Sequence, residues 1–390
     1  MAGQTMTLLL LMTFILYSLV SASNTHHPPA ASPSPSPTSP LMTPKSVVKG
    51  GYWPSWRSST FPASSIDTTY FTHVFFAFVV PDHTTYRITV SQQEGKLLAN
   101  FTAALRRKKP MVKTILSVGG GGSNSTTFAQ IASSAVNRAT FINSTIATAR
   151  QYGFDGLDLD WEFPKNQKEM DDLGTLFADW RAGCDAEAAA TGRRGLLLTA
   201  AVYFASKFIL ADNRAFPAAS IAKNVDWVNA MCYDYRGSWD TSATGAHAAL
   251  YASNSNVSTS YGLQSWIEAG VPRRKVVMGL PLYGRTWQLK DPSISGIGAP
   301  AVGVGPGDGT MFYNNVVDYN VKNNATVVYD GPTVSVYSYH GTAWIGYDDA
   351  TSVKQKISYA RGLHLGGYFF WALGYDKDDM ISRQASTAWS

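Results

Sequence analysis

From Phe154 to Phe163 acidic and apolar residues alternate, with Asp158, Asp160 and Glu162 interleaved with Leu157, Leu159 and Trp161. A period of two belongs to a β-strand, so the three acids share one face while Leu157, Leu159 and Trp161 pack behind them. Same-face neighbours on a strand lie about 6.5 Å apart at Cα, which crowds three carboxyl groups into one pocket. They cannot all ionise cheaply, so at least one proton is retained near neutral pH, the condition for a general acid. A calcium loop would instead place a glycine and oxygen ligands in a turn, without buried residues at alternate positions.

Seven other runs carry the β-branched and aromatic residues of buried strands: Val47 to Trp53, Phe71 to Val80, Met111 to Val118, Leu196 to Phe204, Val225 to Tyr233, Lys275 to Tyr283 and Gly362 to Trp371. Helical stretches such as Phe128 to Tyr152 and Lys168 to Thr191 separate them. With Phe154 to Glu162 this makes eight strand–helix units, which predicts an α/β fold, a closed (β/α)8 TIM barrel over 45–287 and 345–390. The gap before the last strand is too long for one loop and helix. A small α+β insertion subdomain is expected over 288–344, between strands 7 and 8, with strands at Met311 to Tyr319, Thr326 to Asp330 and Thr333 to Tyr339 and a turn at Asp330-Gly331-Pro332. The acids, the Ser117-Val118-Gly119-Gly120 run, Met231 to Asp234, Leu280 to Arg285 and Trp371 all fall at C-terminal strand ends, the active face of such a barrel.

Composition changes this picture mainly at the N-terminus. An uncharged apolar run from Met6 to Val20, followed by Ser21-Ala22-Ser23, reads as a signal peptide over 1–22, so a secreted product is expected, outside the cell or in the vacuole. The run is too short to span a bilayer, and a membrane anchor is not expected. The Pro/Ser-rich stretch 23–44 is too poor in large apolar residues to fold and is expected to be a disordered tail; His26-His27 within it lacks the partners of a metal site. Sequons at Asn100, Asn124, Asn143, Asn256 and Asn324 fit the secretory route. With only Cys184 and Cys232, the core rests on packing, and sequence leaves open whether the two sulfurs meet. The net charge of +5 includes no basic stripe beyond Arg106-Arg107-Lys108-Lys109, read as a solvated helix end, so nucleic acid is not an expected partner. The Gly-rich run Gly119 to Gly122 is not followed by Lys-Ser/Thr and reads as a tight turn, not a phosphate loop.

The pattern Asp155-x-x-Asp158-x-Asp160-x-Glu162 resembles the signature of glycoside hydrolase family 18, and within it the plant class V chitinases. The resemblance runs from about Val47 to Asp379 and includes Ser117-Val118-Gly119-Gly120, Met231-x-Tyr233-Asp234-x-x-Gly237-x-Trp239, Leu280 to Arg285 and Gly366-Gly367-x-x-x-Trp371. It implies retaining, endo-acting hydrolysis of chitin, with the substrate's acetamido oxygen as nucleophile. It further implies that Glu162 is the general acid and base, that Asp160 braces the oxazolinium ion, that Asp158 and Ser117 share hydrogen bonds behind it, that Tyr233 holds the acetamido oxygen, and that Asp234 contacts the distorted sugar. Trp371 and Phe78 match positions lining the subsite of cleavage; Tyr52, Trp56, Trp239, Tyr283, Arg285 and Met231 match other cleft positions. Trp227, Trp266 and Trp287 are read as packing residues, and Cys232 as a buried thiol.

Two departures stand out. Gly121 occupies a position where several members carry tryptophan, which removes a stacking platform, and Phe163 replaces a common tyrosine. The expected partners are chitin and its oligosaccharides, bound by a monomer without cofactor or metal. A chitin-oligosaccharide lectin on the same barrel is the alternative, and cleavage within the chitobiose core of N-glycans a third reading.

Overall fold

The computed structural model describes residues 47–390; the expected signal peptide and tail, 1–22 and 23–44, lie outside the described residues. Strands β1 (Val48–Pro54), β2 (His73–Val79), β3 (Lys113–Gly119), β4 (Gly156–Asp160), β5 (Leu197–Tyr203), β6 (Trp227–Met231), β7 (Val276–Pro281) and β14 (Gly367–Trp371) close into a barrel in the order β1-β14-β7-β6-β5-β4-β3-β2. Every pairing in it is parallel, as the eight runs predict. Helices α1 (Gln92–Arg106), α2 (Ser125–Ser133), α3 (Ala135–Tyr152), α4 (Gln167–Thr191), α5 (Ala218–Asn224) and α6 (Thr259–Glu268) return the chain from one strand to the next. The β1–β2 connection holds only single 3-10 turns, so that crossover lacks its α-helix. The expected helix Phe128 to Tyr152 is two, divided at Ser134, whose side chain caps the second.

Two apolar layers follow from the strand period. Outward residues such as Leu116, Leu157 and Leu159 meet helix residues spaced by three and four, among them Leu98, Phe101 and Leu105 of α1. Each large side chain buried in this way contributes about 1.5–3 kcal/mol. Inward residues Tyr52, Phe75, Ile115, Trp227, Val277 and Phe369 fill the barrel itself. Trp266 and Trp287 are fully buried packing residues, and Trp227 is nearly so. Cys184 and Cys232 are separate buried thiols, each pushed by burial up to about 12.

Between β7 and β14 stands an antiparallel sheet of β8 (Tyr283–Leu289), β9 (Ala301–Val304), β10 (Thr310–Phe312), β11 (Thr326–Asp330), β12 (Ser335–His340) and β13 (Ala343–Tyr347). Its order is β10-β8-β13-β12-β11, and β9 also pairs with β8, at Trp287–Leu289. It is wider than the expected 288–344 and begins directly after β7, so Tyr283 and Arg285 belong to it and not to the end of a barrel strand. The expected strand Met311 to Tyr319 is largely helix α7 (Tyr313–Asn323). Tyr313 and Val316, three apart, are its buried pair, a helical spacing that outweighs the β-propensity of the aromatic and valine residues. Helices α8 (Ala350–Gly362) and α9 (Met380–Trp389) flank β14 in sequence.

Candidate active site

Register across β3, β4 and β5 builds the site in layers. Ser117, Asp158 and Thr199 are lateral neighbours, and one step toward the mouth so are Gly119, Asp160 and Ala201. In the lower layer Asp158 is fully buried and accepts from Ser117 Oγ at 2.7 Å, Thr199 Oγ1 at 2.6 Å and the Tyr52 hydroxyl at 2.9 Å. The Tyr52 oxygen in turn accepts from Asn229 Nδ2 at 2.9 Å, and the amide oxygen of Asn229 from Trp227 Nε1 at 3.0 Å. Burial raises the proton affinity of Asp158, and the three donors only partly offset it.

The upper layer is different. The side chain of Asp160 makes no hydrogen bond among the described residues, and its Oδ1 is buried without a partner. Burial, then the charges of Glu162 and Asp158, push its pKa well above the carboxylate range. Glu162, just past the end of β4, is raised to about 7 by burial and by Asp234. Burial and the nearby Asp160 and Glu162 likewise push up the phenol of Tyr233. Crowding on one strand face therefore raises the proton affinity of both acids of this layer, Asp160 and Glu162.

Asp234 goes the other way. Burial alone would raise its pKa, but His247 and Arg285 outweigh it and hold the carboxyl below the usual range. Arg285 forks onto it, Nε to Oδ1 at 2.9 Å and Nη2 to Oδ2 at 2.8 Å, and the Tyr283 hydroxyl donates at 2.8 Å. His247 Nε2 donates to the Tyr283 carbonyl at 3.1 Å, while Nδ1 lies 3.6 Å from Asp234, too long for a hydrogen bond. These contacts hold Asp234 at φ 60°, a left-handed conformation unusual for a residue with a Cβ.

The Gly-Gly turn closes the opposite wall. Gly119 has φ 121°, and a Cβ there would fall 2.1 Å from the Asp160 carbonyl oxygen; at Gly120, with φ 90°, it would fall 2.5 Å from the Phe78 ring. Only glycine lets this turn run so close to β4 and Phe78. Gly121 follows with its Cα beside the general-acid candidate: an added Cβ would stand 3.1 Å from Glu162 Oε1.

A cavity of about 610 Å³ opens above these layers. Of the residues singled out from sequence, Tyr52, Trp56, Phe78, Asp160, Glu162, Met231, Tyr233, Asp234 and Trp371 line it. Phe78 and Trp371 stack at 5.6 Å between centroids, and Trp56, 59% exposed, lies 6.3 Å from each. Ser117 and Asp158 sit beneath the cavity, and Tyr283 and Arg285 reach it through Asp234. Trp239 does not line it; also 59% exposed, it carries the Arg285 guanidinium over its ring at 5.1 Å. Tyr52 is 1% exposed with its hydroxyl turned down to Asp158, so its main contact is with the acid network and not with the open cleft. Asp155, first acid of the motif, stands at the far end of β4, where it accepts from the Thr114 amide at 2.9 Å and pairs with Lys113. Thr199, Asn229 and His247 were not singled out from sequence, because each acquires its role through strand register or loop packing that no local pattern encodes.

The chain belongs to glycosyl hydrolases family 18, whose family model matches residues 48–376, and it is a glycoside hydrolase on the TIM barrel of that family. Among individual proteins it is 53% identical over 348 residues to Nod factor hydrolase protein 1 of Medicago truncatula, covering 88% of this chain and 90% of that one. A mutant class V chitinase from Nicotiana tobaccum, solved in complex with NAG4, superposes with TM-score 0.85 at 42% identity, covering 88% of this chain and 99% of the other. The chitinase-like agglutinin from Robinia pseudoacacia superposes with TM-score 0.82 at 38% identity over 88% of this chain and 100% of its own.

Proposed function

We propose that this chain hydrolyses the β-1,4 bonds of chitin and its oligosaccharides internally and with retention, the substrate's acetamido group serving as nucleophile. The observation that carries this reading is the upper layer of acids: Glu162, raised to about 7, beside an unpartnered Asp160 carboxyl in an aromatic-walled cavity. Glu162 donates its proton to the glycosidic oxygen as the C1–O bond breaks and the acetamido oxygen closes on C1. Asp160 accepts from the acetamido N–H and faces the cationic ring so formed, and Tyr233 donates to the acetamido oxygen. Water then loses a proton to Glu162 and opens the ring on the face the leaving group left, so configuration is retained. Phe78 and Trp371 offer flat apolar faces for the sugar's C–H groups. Asp234, kept ionised by Arg285, accepts from hydroxyls of the distorted ring.

Glu162→Gln tests the assignment on soluble chitin oligomers, with turnover expected to fall; unchanged turnover would refute it. Fully deacetylated chitosan should not be cleaved, since the nucleophile is then missing, and its efficient hydrolysis would contradict the acetamido route. The likeness to the Robinia agglutinin keeps a lectin reading in view, but that reading gives no reason for Glu162 to hold a proton near neutrality. Reducing-end release measured beside binding separates the two. Secretion is proposed with this activity: all five sequon asparagines are exposed in the fold, which leaves each open to a glycan.

A further inference from the structure

At the end of the barrel opposite the cleft, where strands begin and helices finish, lies a second cavity of about 460 Å³. Five cationic side chains from four segments line it: Arg106 from the end of α1, Lys113 from the start of β3, Arg150 from the last turn of α3, and Arg193 and Arg194 from the loop after α4. Helix C-termini carry partial negative charge, which accounts for Arg106 and Arg150 taken singly. It does not account for their convergence with three more cations in one concavity, where like charges repel.

Lys113 is answered by Asp155 at 3.1 Å and Arg150 by a bidentate contact with Glu187. Arg106 donates only to a neutral group, the Gly153 carbonyl, at 2.7 Å. The side chains of Arg193 and Arg194 form no hydrogen bond or ion pair among the described residues; Arg193 does lower the pKa of Glu187 by its charge. Three guanidinium groups are thus left without a carboxylate bonded to them. A guanidinium presents its donors as a planar fork that matches a carboxylate or phosphate two bonds at a time. The volume falls in the range of small-molecule sites, larger than one ion requires.

We propose that this cavity binds a ligand carrying two or more oxyanion groups, held by Arg106, Arg193 and Arg194. The groups could be the carboxylates of an acidic oligosaccharide or the phosphates of a short polyphosphate, which share this chemistry. Calorimetric titration of the full chain at low ionic strength with trigalacturonic acid, and separately with tripolyphosphate, tests the site and identifies the source by which probe binds. At least one probe should bind saturably, with one ligand per chain. Arg193→Gln with Arg194→Gln should weaken it at least ten-fold, and Arg106→Gln should weaken it as well. The control pair Lys322→Gln with Lys354→Gln removes the same charge elsewhere and should leave affinity within two-fold. Turnover of chitin oligomers should be unchanged in the Arg193/Arg194 variant, which also establishes that it folds. No saturable binding of either probe, or equal weakening by both double variants, would overturn the proposal.

Discussion

Asp158 and Asp160 are two residues apart on one strand and face the same way, yet their surroundings are opposite. Asp158 receives three hydroxyl donors and is backed by a further relay through Asn229 to Trp227. Asp160 receives none, and Glu162 beyond it has no hydrogen-bond partner among the described residues either. A buried polar group without a partner ordinarily costs about 1–3 kcal/mol. The protein satisfies the floor of the site completely and leaves the layer above it open, as a site does when its missing partner is the substrate and the charge that develops on it. The lower layer is structure; the upper layer is chemistry held at a cost in stability.

Substitutions in the two layers should therefore differ in kind. The largest effect belongs to the upper layer: Glu162→Gln should lower kcat on chitin oligomers by about 10²–10⁴-fold while oligomer binding persists. Asp160→Asn removes the charge facing the oxazolinium ion and should cost about 10²–10³-fold in kcat, with little change in melting temperature. A floor substitution should reverse that balance. Tyr52→Phe strips a donor from Asp158 and an acceptor from Asn229, and should destabilise the fold by about 1–3 kcal/mol in denaturant unfolding. If Tyr52→Phe proved thermally silent, the contrast between layers would fail.

A finer test uses pH. The carboxyl of Glu162 is raised above its unfolded value, so the folded chain binds that proton more tightly. Stability from this group is full below about pH 4.5, the unfolded value, and is lost as pH rises toward 7. Glu162→Gln should therefore match the parent near pH 4 and exceed it near pH 8 by on the order of 1–3 kcal/mol. The alkaline limb of kcat/KM should lie near pH 7 for the same reason. The smallest expected effect is at Gly121, where Gly121→Ala places a methyl 3.1 Å from Glu162 Oε1 and should reduce kcat a few-fold without altering stability.

Much of this was legible in the sequence, and the exceptions share a cause. The eight barrel strands announce themselves because both faces are buried, which enforces β-branched and aromatic runs. The acid triplet announces itself through its period of two. What stayed hidden depends on lateral register or on loop packing: Thr199 beside Asp158, Asn229 beneath Tyr52, His247 behind Asp234. The sequence placed Tyr52 in the cleft, but only the barrel's closure shows its hydroxyl committed to Asp158. Within the insertion, Phe312, Tyr313, Val316 and Val317 suit a strand by residue type, whereas the spacing of Tyr313, Val316 and Asn320 is helical. Trp239 sits in a specific motif, yet the fold turns it to the margin, where it supports Arg285.

Retention through the substrate's own acetamido group is the claim on which the roles of Glu162 and Asp160 rest. Proton NMR of the first products from a soluble chitin oligomer reads it directly, before mutarotation scrambles the anomers. New reducing ends should appear in the β configuration. Their appearance as the α anomer would mean direct attack by water and would contradict the account.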